Sequence, residues 1–144
     1  MDARLPRFVA VDWNGTVVPW FGQAPYPEAL ATLNALRDTG VYVVVVSHAT
    51  PQQIQADVAR VGFEADEVHG VGAKTPTLVQ LADRYGDGVM VGDSPQDARA
   101  AHAADLPFVQ ACFEGMSFLG GGLGQLSHWS ELPLLLASRP AAGG

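Results

Sequence analysis

The chain has 144 residues and a mass of 15.2 kDa; 48% of the residues are hydrophobic, 16% are charged, and the formal net charge is −7 with a pI near 4.8. This length supports one domain with its own core, and so acidic a chain lacks the basic surface needed for broad contact with nucleic acid or anionic membrane. The single cysteine, Cys112, excludes a disulfide framework within the chain.

In chain order, strands and helices alternate. RFVAVD, ending at Asp12, is a β-branched and aromatic run too short for a helix. From Pro27, PEALATLNALRDTG sets Leu30, Leu33, Ala35 and Leu36 at helical spacing and stops at Gly40. VYVVVVS is continuously β-branched, the pattern of a parallel strand covered on both faces. TPQQIQADVARVG opens with Thr50 as N-cap, Pro51 at the first helical position and Gln53 closing a capping box. DEVHG is a short strand, and TPTLVQLADRYG repeats the cap–proline opening with Thr75 and Pro76. GVMVGD is a buried strand, SPQDARAAHAAD another proline-opened helix, and PFVQAC the last core strand. GGGLG at 120–124 reads as a mobile loop and SELPLLLAS as a terminal helix. One domain is expected over 1–144, with a core from about 7 to 137 and a flexible tail over 138–144. MDARLPRFVAV has no signal-peptide core, and no apolar run reaches the ~18 residues of a membrane helix. A cytoplasmic protein is the expectation.

Strands alternating with helices predict an α/β fold with a doubly wound parallel sheet. Ligands bind such sheets where the carboxyl ends of the strands meet helix N-termini. The conspicuous polar residues fall at that rim: Asp12 ends the first strand, Ser47 the second, Lys74 precedes the third helix, and Asp93 ends GVMVGD. Lys74 is the only lysine of the chain, which argues against a merely solubilising role. A charge at the end of a buried strand is costly unless paired, so Asp12 reads as functional. GVGAK at 70–74 lacks the spacing of a phosphate-binding P-loop, and its glycines read as ordinary turns.

DWNGT, the Ser47 of VVVVSHAT, the Lys74 of AKTP and VGDSPQD resemble the four ordered motifs of the haloacid dehalogenase superfamily of phosphatases. The resemblance runs from about Phe8 to Val109 and implies a Rossmann-like core and Mg²⁺-dependent phosphoryl transfer. Chemistry points the same way, since an aspartate can act as nucleophile and form an aspartyl-phosphate. Asp12 takes that role here, with Asp93 and the backbone carbonyl of Asn14 as oxygen ligands for the cation. Lys74 neutralises carboxylates and holds phosphate, and Ser47 donates to a phosphate oxygen beside a helix N-terminus. Asp97, four residues after Asp93, either binds a metal-bound water, pairs with Lys74, or simply complements its helix N-terminus. His69 and His102 share no metal-ligand spacing and read as structural.

Asn14 departs from the pattern. Most phosphatases of the superfamily carry an aspartate there, which protonates the leaving oxygen and later activates water. An amide donates a hydrogen bond but cannot hand over a proton near neutral pH. Three readings follow: a phosphatase slow on poor leaving groups, one in which His48 replaces the acid, or a protein that binds phosphate compounds with little turnover. A receiver-like phosphoacceptor domain is a further alternative. The gaps between motifs hold no inserted cap domain, so the site is expected to be open, with VVPWFGQAPY as a small flap and Trp20 and Phe21 at its tip. Trp20, Ser47, His48 and Lys74 are the substrate contacts to look for. Partners are a phosphorylated small molecule or macromolecule, and a homo-oligomer is compatible with the open site and its aromatics.

Overall fold

Strand β1 (Phe8–Val11) lies at the centre of the sheet, because all four of its side chains are apolar and can be covered on both faces. The structure, a computed structural model, describes residues 5–113 and 116–140. Strands β2 (Tyr42–His48), β3 (Glu67–Val71), β4 (Gly88–Gly92), β5 (Phe108–Ala111) and β6 (Gly124–Leu126) join β1 in the order β3-β2-β1-β4-β5-β6. Every pairing is parallel. A receiver domain places β1 between β2 and β3; here it lies between β2 and β4, which rules that alternative out.

Helices α1 (Ala29–Asp38), α2 (Pro51–Arg60) and α5 (Leu132–Ala137), with a 3-10 turn at Trp129–Glu131, cover the face formed by Val9, Val11, Val43, Val45, Val89 and Val91. Helices α3 (Thr75–Tyr85) and α4 (Pro95–Ala103) cover the other face, formed by Phe8, Ala10, Val44, Val46 and Met90. Each of these strand residues is fully buried, and burying a Val or Phe side chain contributes about 1.5–3 kcal/mol. With apolar residues on both faces, no polar alternation fixes the register of β1. A size match helps instead: Phe8 pairs with Gly88, where an added Cβ would lie 2.1 Å from the Phe8 ring.

The structure revises several expectations. Helix α1 begins at Ala29, two residues late, because Glu28 is left-handed at φ 66°. Thr75 is the first residue of α3, so Lys74 holds the cap position, with no side-chain cap bond. Thr50 does cap α2 by accepting from the Gln53 N–H. β5 is followed by a sixth strand, and the expected mobile GGGLG segment delivers Gly124 into it. Gln110 supports that return: its amide donates to Ser117 O at 3.0 Å and accepts from the Leu119 N–H at 2.8 Å. In the expected tail, Arg139 is buried and paired with Asp87, while 141–144 lie outside the described residues. No helix among the described residues is long and apolar enough to cross a membrane.

Candidate active site

The strand order reverses between β1 and β4, and there the carboxyl ends of adjacent strands leave a crevice. Asp12 leaves β1 and Asp93 leaves β4 at this switch point. After Asp12 the chain folds tightly: Trp13 O accepts from the N–H groups of Thr16, Val17 and Val18, and Gly15 N donates to Val18 O at 2.7 Å. Gly15 has φ 79°, and a Cβ there would lie 2.0 Å from Asp93 Oδ2. Only glycine permits both the turn and the approach of Asp93.

Helix α4 opens with a complete capping box. Ser94 Oγ accepts from the Asp97 N–H at 3.2 Å, and Asp97 Oδ2 accepts from the N–H groups of Asp93 at 3.2 Å and Ser94 at 3.4 Å. A Cβ at Gly92 would come within 2.4 Å of the same Asp97 oxygen. The other oxygen of Asp97 faces Lys74, whose Nζ donates to Asp97 Oδ1 at 2.6 Å and to Asp12 Oδ1 at 2.7 Å. Asp97 therefore both pairs with Lys74 and completes its helix terminus. Thr16 Oγ1 donates to Asp12 Oδ2 at 3.3 Å.

The electrostatics follow from crowding. Asp12, Asp93 and Asp97 each bring a carboxylate oxygen within 4.8 Å of the others. Burial pushes the Asp12 carboxyl up to about 6 against the opposing pull of the Lys74 ammonium. Asp93 and Asp97 are also raised, chiefly by burial. Burial works to lower Lys74, but the Asp12 and Asp97 charges outweigh it and hold the ammonium above its ordinary value. With three carboxylates against one ammonium, the fully ionised cluster is two negative charges in excess (3 − 1 = 2). An all-oxygen donor set with that excess fits a hard divalent cation.

These groups line a cavity of about 200 Å³ that also takes in Asn14, Ser47, His48 and Trp20. Every residue the sequence singled out as a site candidate thus converges on one place. Ser47 is buried, His48 is exposed, and Trp20 is 62% exposed at the mouth, with its ring edge-on to Phe21. Asn14 Oδ1 is buried without a hydrogen-bond partner, alone in this among the side-chain atoms of the described residues.

Three contributors were missed in the sequence. Thr16 and Ser94 stand inside the quoted motifs without a role of their own, and Ser-x-x-Asp at 94–97 carries a capping signature. Asp57 gave no signal: it looks like a solvent-facing charge of α2, yet it accepts from Trp13 Nε1 at 2.7 Å, Gly22 N at 3.0 Å and Arg60 Nε at 2.8 Å. Arg60 also donates to Gln23 O at 2.7 Å. Asp57 and Arg60 together tie the segment carrying Trp20 to α2.

The family model for haloacid dehalogenase-like hydrolase matches residues 7–105. Phosphoglycolate phosphatase of Rhodospirillum rubrum is 32% identical over 120 residues, covering 75% of this chain and 48% of that protein. The chain thus spans about half the length of this curated relative. In fold it is similar to a predicted phosphatase from Clostridium acetobutylicum, with a TM-score of 0.79 at 14% identity over 94% of this chain and 100% of that one. It is also similar to D,D-heptose 1.7-bisphosphate phosphatase from B. bronchiseptica, solved with magnesium and phosphate, with a TM-score of 0.72 at 15% identity over 90% and 97% of the two chains. With the four motifs in one crevice and a family match across most of its length, the chain belongs to the haloacid dehalogenase-like hydrolases.

Proposed function

We propose that the chain hydrolyses phosphomonoesters with the help of Mg²⁺, through phosphorylation of Asp12. The carrying observation is the single buried cluster in which Lys74 bridges Asp12 and Asp97 beside Asp93. The name of the curated relative, phosphoglycolate phosphatase, supports the reaction class. Lys74 and the Ser47 hydroxyl bind the phosphoryl oxygens. An Asp12 carboxylate oxygen attacks phosphorus in line; the ester P–O bond breaks and its electron pair stays on the leaving oxygen. Water then attacks the aspartyl-phosphate, releasing inorganic phosphate and restoring Asp12. Asp12, Asp93 and the Asn14 backbone carbonyl would hold Mg²⁺, which when bound neutralises phosphoryl charge. Asp97 positions Lys74 and shares its charge.

Protonation of the leaving oxygen is the weak step. Asn14 lines the cavity where an acid is wanted, and its amide has no proton to give. His48 lines the same cavity, and an imidazole can transfer a proton near neutrality. Asn14 also favours a second reading, a protein that binds phosphate compounds and turns them over little. Phosphate release from p-nitrophenyl phosphate and from alkyl phosphates, with and without Mg²⁺ and against Asp12→Asn as blank, separates the two. The hydrolase requires release that depends on both Mg²⁺ and Asp12, fastest with the aryl ester. Asn14→Asp is then expected to raise alkyl turnover by roughly 10² or more, since general acid–base catalysis is worth roughly 10²–10⁴-fold. No release above the blank, from folded protein that still binds Mg²⁺, favours the binding protein.

A further inference from the structure

A second cavity of about 370 Å³ adjoins the catalytic one, and His48 and Lys74 line both. One wall is the β3–α3 turn, with Gly72, Ala73 and Thr75. The other is a single face of α4, where Gln96, Arg99, Ala100 and Ala103 recur at spacings of three and four residues. Small side chains leave the space open, while Thr75, Gln96 and Arg99 offer polar groups around it, the composition of a small-ligand site.

Arg99 stands out by what it lacks. Arg37 faces Asp66, Arg60 faces Asp57, Arg84 faces Glu67 and Arg139 faces Asp87. Among the described residues the Arg99 guanidinium faces no carboxylate and makes no hydrogen bond. Arg7 is also without an ion pair, but it precedes β1, at the opposite end of the sheet. In a chain of net charge −7, an unneutralised guanidinium beside the catalytic cavity is a local exception to a field that repels anions. A guanidinium also matches the planar oxygens of a carboxylate or phosphate in bidentate fashion.

Resting on the phosphatase reading above, we infer that this second cavity takes the leaving group and that Arg99 pairs with a second anionic group on it. The preferred substrates are then small phosphomonoesters that also carry a carboxylate or a second phosphate. Lys74 and His48 mark the boundary between the two halves: the transferred phosphoryl group lies on the Asp12 side, the second anion on the α4 side.

The test compares matched pairs of esters: phosphoglycolate with ethyl phosphate for a carboxylate, and propanediol bisphosphate with propyl phosphate for a second phosphate. The readout is the ratio of kcat/KM, the ester with a second anionic group over its match without one, in the unaltered protein, Arg99→Ala and Arg99→Glu. One or both ratios are expected to exceed one, to fall about tenfold in Arg99→Ala through KM, the size of a lost charge-assisted hydrogen bond, and to fall further in Arg99→Glu. The pair that responds identifies the second group. Ratios unchanged by either substitution overturn the inference. Calorimetric titration of the same four esters into Asp12→Asn, with and without Arg99→Ala, keeps the two readings apart. If no ester is hydrolysed, the phosphatase reading fails, but tighter binding of the ester with a second anionic group, an advantage that Arg99→Ala abolishes, still supports the subsite. Equal binding of both members of each pair overturns it.

Discussion

Replacing Asp57 by alanine removes the acceptor that holds residues 17–26 against α2. The Trp13 side chain is fully buried, so its indole N–H, now 2.7 Å from Asp57, is left without a partner and out of reach of water. Such an orphaned donor costs about 1–3 kcal/mol, and the lost bond from the Gly22 N–H about 1 kcal/mol more. Arg60 is exposed and keeps its bond to Gln23 O, so losing Asp57 costs it little. The total is about 3 kcal/mol, which at a urea m-value of about 2 kcal/mol/M lowers the midpoint by about 1.5 M. Asp57→Asn keeps an acceptor for Trp13 and is expected to lose less than half as much. The pH dependence has a definite sign. Burial pushes the Asp57 carboxyl up, but the bonds from Arg60, Trp13 and Gly22 N–H prevail and hold it below its ordinary value of 3.8. A lowered pKa in the fold means stability present above about pH 4 and lost as the pH falls through the folded value. The gap between the unaltered protein and Asp57→Asn should therefore shrink in acid. Urea titrations followed by far-UV circular dichroism at several pH values measure all of this. A midpoint for Asp57→Ala within 0.2 M of the unaltered protein, roughly the effect of an ordinary surface substitution, would refute the reasoning.

Gly15→Ala demands a strained left-handed residue and drives a methyl into Asp93 Oδ2; calorimetry should show Mg²⁺ affinity reduced at least tenfold, and an unchanged affinity would dissociate Asp93 from the metal. Because burial holds the metal-free Asp12 carboxyl at about 6, a cation must displace a proton below that pH; Mg²⁺ affinity should fall about tenfold per pH unit there and level off above it, whereas a flat titration between pH 5 and 7 would remove Asp12 from the ligand set.

How much of this was legible before the structure depended on whether a signal was local. The β-branched runs of β1, β2 and β4 and the proline-opened α2 and α4 announce themselves, and alternation then implies a rim at which Asp12, Ser47, Lys74 and Asp93 must meet. β6 was hidden because three residues, one of them glycine, carry no periodicity; it exists because the β5 backbone pairs with it while the Gln110 side chain anchors the segment ahead of it. The late start of α1 was hidden because a left-handed Glu28 is a product of packing, not of propensity. Asp57 was hidden for a third reason: the groups that engage it, the Trp13 indole and the Gly22 N–H, lie far away in sequence.

Trp13 and Trp129 are shut in the core, at 0% and 1% exposure, whereas Trp20 stands in the open at the cavity mouth. Two of the three indoles therefore emit from dry, fixed surroundings, and the third alone is within reach of a collisional quencher such as iodide. Unfolding exposes the first two, while a ligand entering the cavity shields the third. A single unlabelled sample thus reports folding and occupancy as separate optical channels, with the reporter for occupancy already standing at the entrance.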